Sequence, residues 1–151
     1  MKFLRLAFIC SALFIAVLPV WPQALPDGNQ SEELFYFVGL RLDDLIARFG
    51  IPQAVHAVRG NEYWQDDVVF VYSEGDFYIY RDRVWQIGLR SVFGFRIGDA
   101  KALAMLVLGD KAQDRGDFIL FPIPGGYWPL SLRISVSEGR ISGIFVYRSD
   151  F

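Results

Sequence analysis

The chain has 151 residues, of which 53% are hydrophobic and 17% aromatic, and this length allows a single domain with a hydrophobic core. A formal net charge of −2 argues against a nucleic-acid-binding protein, which needs a basic surface. With one cysteine, the chain also cannot be held together by intramolecular disulfide bonds. We therefore expect one domain that is stabilised by packing and has no nucleic-acid partner.

Residues 1–24 have the pattern of a secretory signal peptide. A basic start precedes an apolar run over residues 6–20, and Ala24 offers a small residue at a cleavage point. The run is shorter than the roughly 20 apolar residues of a spanning helix. An uncleaved segment, which would be the chain's membrane contact, and a lipid anchor on Cys10 are the alternatives. We predict an exported protein, either periplasmic or secreted.

The first half of the remaining chain reads as a leader, a short strand, a helix and a meander. Residues 25–33 are polar and predict a flexible leader, and the apolar residues 34–38 predict a strand. A helix is predicted over residues 42–49, with its apolar residues on one face and Gly50 at its end. Four segments rich in β-branched and aromatic residues then predict antiparallel strands: 53–58, 62–72, 76–80 and 83–90.

The second half has the same order of signals. A helix is predicted over residues 99–108 and ends at Gly109, and a strand is predicted over residues 117–121. A proline-rich loop, residues 122–129, leads into a closing hairpin. Its two strands, residues 130–136 and 140–147, flank the favourable turn pair Glu138-Gly139.

The segment from Gly39 to Gly50 recurs in a longer form from Gly94 to Gly109. Both segments contain a glycine, an arginine between apolar residues, an aspartate, a short helix and a closing glycine. This alignment makes Arg96 the counterpart of Arg41, and the repetition of this arginine favours a structural role. The second copy is four residues longer, which is about one helical turn.

The two hairpins align as well, with Arg83-Val84 matching Arg140-Ile141. We therefore predict an α+β fold of two tandem units, about 34–90 and 91–151. Each unit would be a short helix with an antiparallel meander, and both would form a single domain over residues 34–151 with the helices packed on the sheet.

The opening of each unit resembles the small outer-membrane assembly lipoproteins of the BamE (SmpA/OmlA) type. The shared features are a glycine-led helix from Gly39, the closing Gly50-Ile-Pro52, and a strand meander. Two such units in tandem resemble the β-lactamase-inhibitor-protein-like fold. The resemblance implies an envelope binding module with no catalytic residues to carry over.

Residues that carry chemistry are few. His56 is the single histidine, and a metal site needs several donors. Acidic residues collect near one hairpin, where turns and strand ends gather them in any case: Glu62, Asp66, Asp67, Glu74 and Asp76. A hydrolase using Asp66 and Asp67 is the least favoured hypothesis. We expect a protein that is not an enzyme and that has no cofactor or metal.

The closing hairpin suggests which residues of each strand face the core. Its two-residue turn places Val136 opposite Ile141. Simple alternation then puts Phe145 and Tyr147 on the core face and Ile144 and Val146 on the other face.

The same register, applied to the first unit, gives a candidate binding surface. It places Phe77, Ile79 and Val84 in the core and Tyr78, Tyr80 and Trp85 on the solvent face. Exposed aromatic patches often mark contact sites. The alternative is that a loop or the other unit covers these rings.

Tyr127 and Trp128 form a second candidate, since neighbouring prolines stiffen their loop and lower the entropic cost of binding. The alternative here is a loop folded back over the core. We predict a non-enzymatic interaction module that binds another envelope or secreted protein, as a scaffold or an inhibitor. The runner-up is a small-ligand or glycan-binding protein, in which Tyr78, Trp85 and Trp128 stack on the ligand.

Overall fold

The computed structural model describes residues 30–59, 67–125 and 127–150. The predicted signal peptide lies outside the described residues, as do the start of the leader and Glu62 and Asp66 of the acidic group.

The helical elements are short. They are α1 (Gln30–Glu33), which continues into a 3₁₀ turn (Leu34–Phe37), α2 (Leu42–Phe49), α3 (Lys101–Leu108) and a second 3₁₀ turn (Gly109–Lys111). The strands are β1 (Ala54–Val58), β2 (Asp67–Val71), β3 (Asp76–Tyr80), β4 (Arg83–Leu89), β5 (Ser91–Val92), β6 (Phe95–Arg96), β7 (Gln113–Asp114), β8 (Phe118–Ile123), β9 (Leu130–Ser137) and β10 (Arg140–Arg148).

One antiparallel sheet of eight strands dominates the described part of the chain. Its order is β1-β2-β3-β4-β10-β9-β8-β7, and β5 and β6 form a separate ribbon. The expected α+β class, helix-plus-meander units with helices packed on the sheet, is therefore wrong, and the fold is sheet-dominated. Each of α2 and α3 has eight residues and is stopped by a glycine after about two turns. Helices of this length cover only a small part of an eight-stranded sheet.

The predicted first strand is also wrong. Residues 30–33 form α1, and residues 34–37 form the 3₁₀ turn instead of a strand. Leu34, Phe35 and Val38 are all buried. Buried residues at positions i, i+1 and i+4 lie on one side of a helical turn, whereas a strand would bury every second residue.

The main hydrophobic core of the described residues lies between one face of the sheet and the helices. Leu34, Leu45 of α2 and Ala104 of α3 belong to the same buried cluster as Phe77 and Ile134 of the sheet. We refer to the opposite face of the sheet as the outer face.

A β-bulge at Ser142 reverses the register expected for the closing hairpin. Ile141 pairs with Val136, but Gly143 pairs with Ser135, so Ser142 is an extra residue in β10. Ile144 and Val146 are consequently buried in the core, while Phe145 lies on the outer face. The predicted alternation was wrong because the extra residue swaps the two faces for the rest of the strand.

The hairpin of β3 and β4 has a bulge at the position that matches Ser142. Tyr78 pairs with Gln86 while Ile79 pairs with Val84, so Trp85 is the extra residue in β4. The predicted core positions Phe77, Ile79 and Val84 are buried, as expected.

The same hydrogen bonds join each eight-residue helix to its neighbouring hairpin. The Gly39 amide donates to the Val84 carbonyl at 2.7 Å, and the Gly98 amide donates to the Ile141 carbonyl at 2.8 Å. Arg83 Nη1 donates to the Gly39 carbonyl at 2.9 Å, and Arg140 Nη1 donates to the Gly98 carbonyl at the same distance. The structural counterpart of Gly39 is therefore Gly98.

The expected alignment of Gly39 with Gly94, and of Arg41 with Arg96, was wrong by four residues, because the true counterparts lie four positions later in the chain. The four additional residues precede α3 and do not lengthen it, since α2 and α3 are equally long. The repeated arginines that brace the fold are Arg83 and Arg140.

Candidate functional site

A groove runs between the N-terminal helical turns and the proline-rich loop. Its volume is about 580 Å³. Six aromatic side chains contribute to its lining: Phe35, Tyr36, Phe93, Phe121, Tyr127 and Trp128. We refer to this feature as the aromatic groove.

Packed rings form the floor of the aromatic groove. The rings of Phe35 and Phe93 meet edge to face, with 6.0 Å between their centroids, and those of Phe93 and Phe121 meet in the same way at 6.2 Å. This arrangement is favoured by the quadrupoles of the rings. Phe93 has a φ of +48° and Gly94 a φ of +85°, as expected for the two central residues of the tight turn that joins β5 to β6.

The rim of the aromatic groove carries exposed rings. Tyr127 is fully exposed and Tyr36 is 81% exposed. Glu32 and Glu33 are the charged residues among those that line the groove. The groove therefore combines an apolar floor with two exposed tyrosine rings and two negatively charged residues at its rim.

Trp128 is fixed more firmly than Tyr127. A Cβ built on Gly39 would lie 2.6 Å from Trp128 Nε1, so the indole packs directly against this backbone. The Arg148 guanidinium lies over the indole, 3.7 Å from its ring centroid, and two hydrogen bonds of 2.9 Å hold Arg148 to Asp150. The contacts with Gly39 and Arg148 fix the orientation of the indole, and Trp128 remains 41% exposed.

No protein-family model and no curated protein sequence matches the chain.

A solved structure has a similar fold: the 1.5 Å crystal structure of an extracellular protein containing an SCP domain from Bacillus anthracis str. Ames. The TM-score is 0.55 and the sequences are 12% identical. The match covers 87% of this chain and 50% of the other, so this chain spans half of that protein's length. At this identity the likeness concerns the fold alone.

The other predicted site residues lie on the outer face of the sheet. Tyr78, Tyr80 and Trp85 are all partly buried, and the structure does not bring them to the aromatic groove. The Tyr78 ring meets Phe145 edge to face at 6.3 Å, and the Arg81 guanidinium lies 5.2 Å from the Tyr80 ring centroid. Of the two predicted candidates, only the one formed by Tyr127 and Trp128 lines the groove.

We refer to Asp67, Tyr78 and Trp85 as the outer-face cluster, in which Asp67 is the buried carboxylate. It is buried and accepts a hydrogen bond of 2.9 Å from Trp85 Nε1. Burial raises the pKa of the Tyr78 phenol, and the carboxylates of Asp76 and Asp67 raise it further. The neutral phenol is therefore the form that this cluster favours.

Four of the groove-lining aromatic residues were missed in the sequence. Phe35 and Tyr36 were assigned to a strand, and Phe93 and Phe121 reach the groove only through long-range packing. The run of consecutive apolar and aromatic residues over 34–38 could have indicated the correct structure, because such a run fits a packed helical turn as well as a strand.

Metal and membrane sites receive no support from the described part of the chain. Within residues 30–59, 67–125 and 127–150, no group of three or more His, Cys, Asp or Glu is placed to hold a metal ion. Over the same ranges, no helix is long and apolar enough to cross a membrane. His56 is exposed on β1.

Proposed function

We propose that this protein is an exported interaction module that binds an apolar segment of another envelope or secreted protein in the aromatic groove. The observation that carries the proposal is the pair of exposed tyrosines, Tyr36 and Tyr127, at the rim of a concave apolar floor. Tyrosine combines a rigid apolar ring with a polar group and is enriched among the residues that dominate binding energy.

Two further features support parts of this proposal. Glu32 and Glu33 on the rim favour a partner segment that carries a basic residue beside its apolar side chains. Export is supported by the signal-like residues 1–24 and by a fold shared with an extracellular protein. The fraction from which the exported protein is recovered, periplasm or medium, decides between the two destinations.

The prediction that Tyr78, Tyr80 and Trp85 contact a partner stays a prediction. Their rings and polar groups already engage neighbours within the chain, including Phe145 and Asp67. The rings at the groove rim are more exposed, and we therefore centre the proposal on the groove.

The test compares two sets of variants. The protein, tagged at its C-terminus and recovered after export, is used to capture partners from its native exported fraction, and the captured segment is then synthesised for calorimetry. Tyr36→Ala with Tyr127→Ala should weaken binding at least about tenfold. Tyr80→Ala on the outer face is the matched control and should bind like the wild type.

Two outcomes would count against the groove. Unchanged affinity in the Tyr36/Tyr127 variant would refute it, and a loss of affinity in Tyr80→Ala alone would move the contact site to the outer face.

A small apolar ligand or a glycan is the second candidate for the same groove. Its volume of about 580 Å³ falls within the range of about 300–1,000 Å³ typical of small-molecule sites. Trp128 offers an oriented ring on which a sugar can stack. A thermal-shift screen with oligosaccharides and apolar fragments tests this candidate, and a stabilising compound should lose its effect in Trp128→Ala.

A further inference from the structure

The hairpin turn between β7 and β8 consists of Arg115, Gly116 and Asp117. Gly116 has a φ of +91°, and a glycine at the first central position is typical of a type II′ hairpin turn. The Arg115 amide donates to the Phe118 carbonyl at 2.9 Å, and all three turn residues are exposed. We refer to residues 115–117 as the Arg-Gly-Asp turn.

Hydrogen bonds from three elements fix the backbone of the Arg-Gly-Asp turn. The Gly116 amide donates to Asp114 Oδ1 at 2.9 Å, and Lys101 Nζ of α3 donates to the Gly116 carbonyl at 3.0 Å. The Asp117 carbonyl accepts from the Val136 amide of β9 at 2.7 Å. The turn is therefore held in one conformation before a partner binds, which lowers the entropic cost of binding.

The charged side chains of the turn have no charged partner within the described part of the chain. None of the ion pairs among residues 30–59, 67–125 and 127–150 includes Arg115 or Asp117. Arg115 Nη2 donates to the neutral amide oxygen of Gln113 at 2.7 Å. An arginine has several N–H donors and a carboxylate several acceptor positions, so most of this hydrogen-bonding capacity faces solvent.

The neighbouring charged residues stabilise the turn instead. Lys101 Nζ donates to Asp114 Oδ1 at 2.7 Å. This bond and the one from the Gly116 amide lower the pKa of the Asp114 carboxyl, so the carboxylate that holds the turn stays ionised. The fold thus uses Lys101 and Asp114 to hold the turn, and it leaves the charges of Arg115 and Asp117 exposed.

We propose that the Arg-Gly-Asp turn binds a receptor that offers a divalent cation to the Asp117 carboxylate and an acidic side chain to the Arg115 guanidinium. Hard divalent cations prefer oxygen ligands, and a guanidinium pairs with a carboxylate through two parallel hydrogen bonds. Gly116 places no side chain between the two charges. The same tripeptide is the sequence that one class of cell-adhesion receptors recognises in its ligands.

A partner surface of a single charge sign fits the turn poorly, because it would repel one of the two side chains. An anionic lipid surface is disfavoured further, since Asp110, Asp114 and Asp117 all lie in or near the turn. The turn is not part of the lining of the aromatic groove, and the inference goes beyond the proposed function.

The test measures binding of the exported protein to a panel of purified cell-adhesion receptors that recognise Arg-Gly-Asp peptides, by surface plasmon resonance in Mg²⁺. The wild type should bind, be released by EDTA and be displaced by a synthetic Arg-Gly-Asp peptide. Asp117→Glu keeps the charge but moves the carboxylate by one methylene, and it should weaken binding at least about tenfold. Asp110→Glu, the same change at an exposed acidic residue near the turn, is the control and should bind like the wild type.

Three results would overturn the proposal. They are a wild type that binds no receptor of the panel in Mg²⁺, binding that EDTA leaves unchanged, and an Asp117→Glu variant with wild-type affinity. Circular dichroism spectra should show that the variants are folded. If Asp117→Glu fails to fold, Arg115→Gln tests the other charge, and wild-type affinity in that variant would equally refute the site.

Discussion

Replacing Gly39 with alanine should destabilise the protein more than the same change at Gly98. Both glycines have nearly the same φ, +94° and +95°, and both make equivalent hydrogen bonds to the neighbouring hairpin. An alanine in this left-handed region costs about 1–3 kcal/mol at either position. Around Gly98 nothing lies within 4 Å of an added Cβ, whereas at Gly39 the Cβ would be 2.6 Å from Trp128 Nε1.

The Trp128 indole must therefore move in Gly39→Ala, and it then loses its contact with Arg148. The Arg148 side chain is 14% exposed, and a cation–π contact between the exposed and desolvated limits is worth about 0.5–2 kcal/mol. We expect the free energy of unfolding of Gly39→Ala to be lower than that of Gly98→Ala by about this amount. In a Trp128→Ala background the two glycine substitutions should become equal, since the indole that distinguishes them is absent.

Urea unfolding followed by circular dichroism measures these differences as shifts of the midpoint at a constant m-value. Since Trp128 also lines the aromatic groove, Gly39→Ala should weaken ligand binding and Gly98→Ala should not. Equal destabilisation by the two substitutions in the wild-type background would refute the reasoning. So would a difference between them that persists without Trp128.

Two further predictions concern the outer face. Tyr78 has a raised pKa, so the folded state favours its neutral form and gains stability that is present below about pH 10 and lost as the pH rises further. Tyr78→Phe should consequently lose less stability than the wild type between about pH 9 and pH 11, in urea midpoints measured across this range; parallel curves would contradict this. Trp85→Phe removes the indole donor to the buried Asp67 and should lower the free energy of unfolding by about 1–3 kcal/mol. A change below about 0.5 kcal/mol would mean that Asp67 does not depend on this bond.

Local signals in the sequence located several elements correctly. The helix predicted over residues 42–49 coincides with α2, because a one-sided apolar pattern and a closing glycine are both local features. The strand predicted over residues 76–80 coincides with β3, where buried and half-buried residues alternate. The helix predicted from Asp99 begins two residues later, at Lys101.

The errors arose where non-local contacts decide the structure. The dominance of the sheet follows from the pairing of β4 with β10, which joins strands distant in sequence. The bulge at Ser142 has no distinctive local pattern, so the faces of β10 were assigned in reverse. For the candidate site, Tyr127 and Trp128 were predicted as candidate contact residues and line the groove, but the floor beneath them depends on packing by the N-terminal turns.

At the bulges of Trp85 and Ser142, the side chain on the outer face is independent of the side chains that pack in the core. Each is one residue beyond the alternating pattern, immediately after a buried residue that pairs across the sheet, Val84 or Ile141. A side chain at such a position has no partner residue across the strand, so it can change from an indole to a hydroxymethyl group without repacking the interior. Deleting the residue would move every following side chain of the strand to the opposite face of the sheet. A substitution at either position therefore acts through local contacts, such as the bond from Trp85 Nε1 to Asp67, whereas a deletion would exchange the two faces of the rest of the strand.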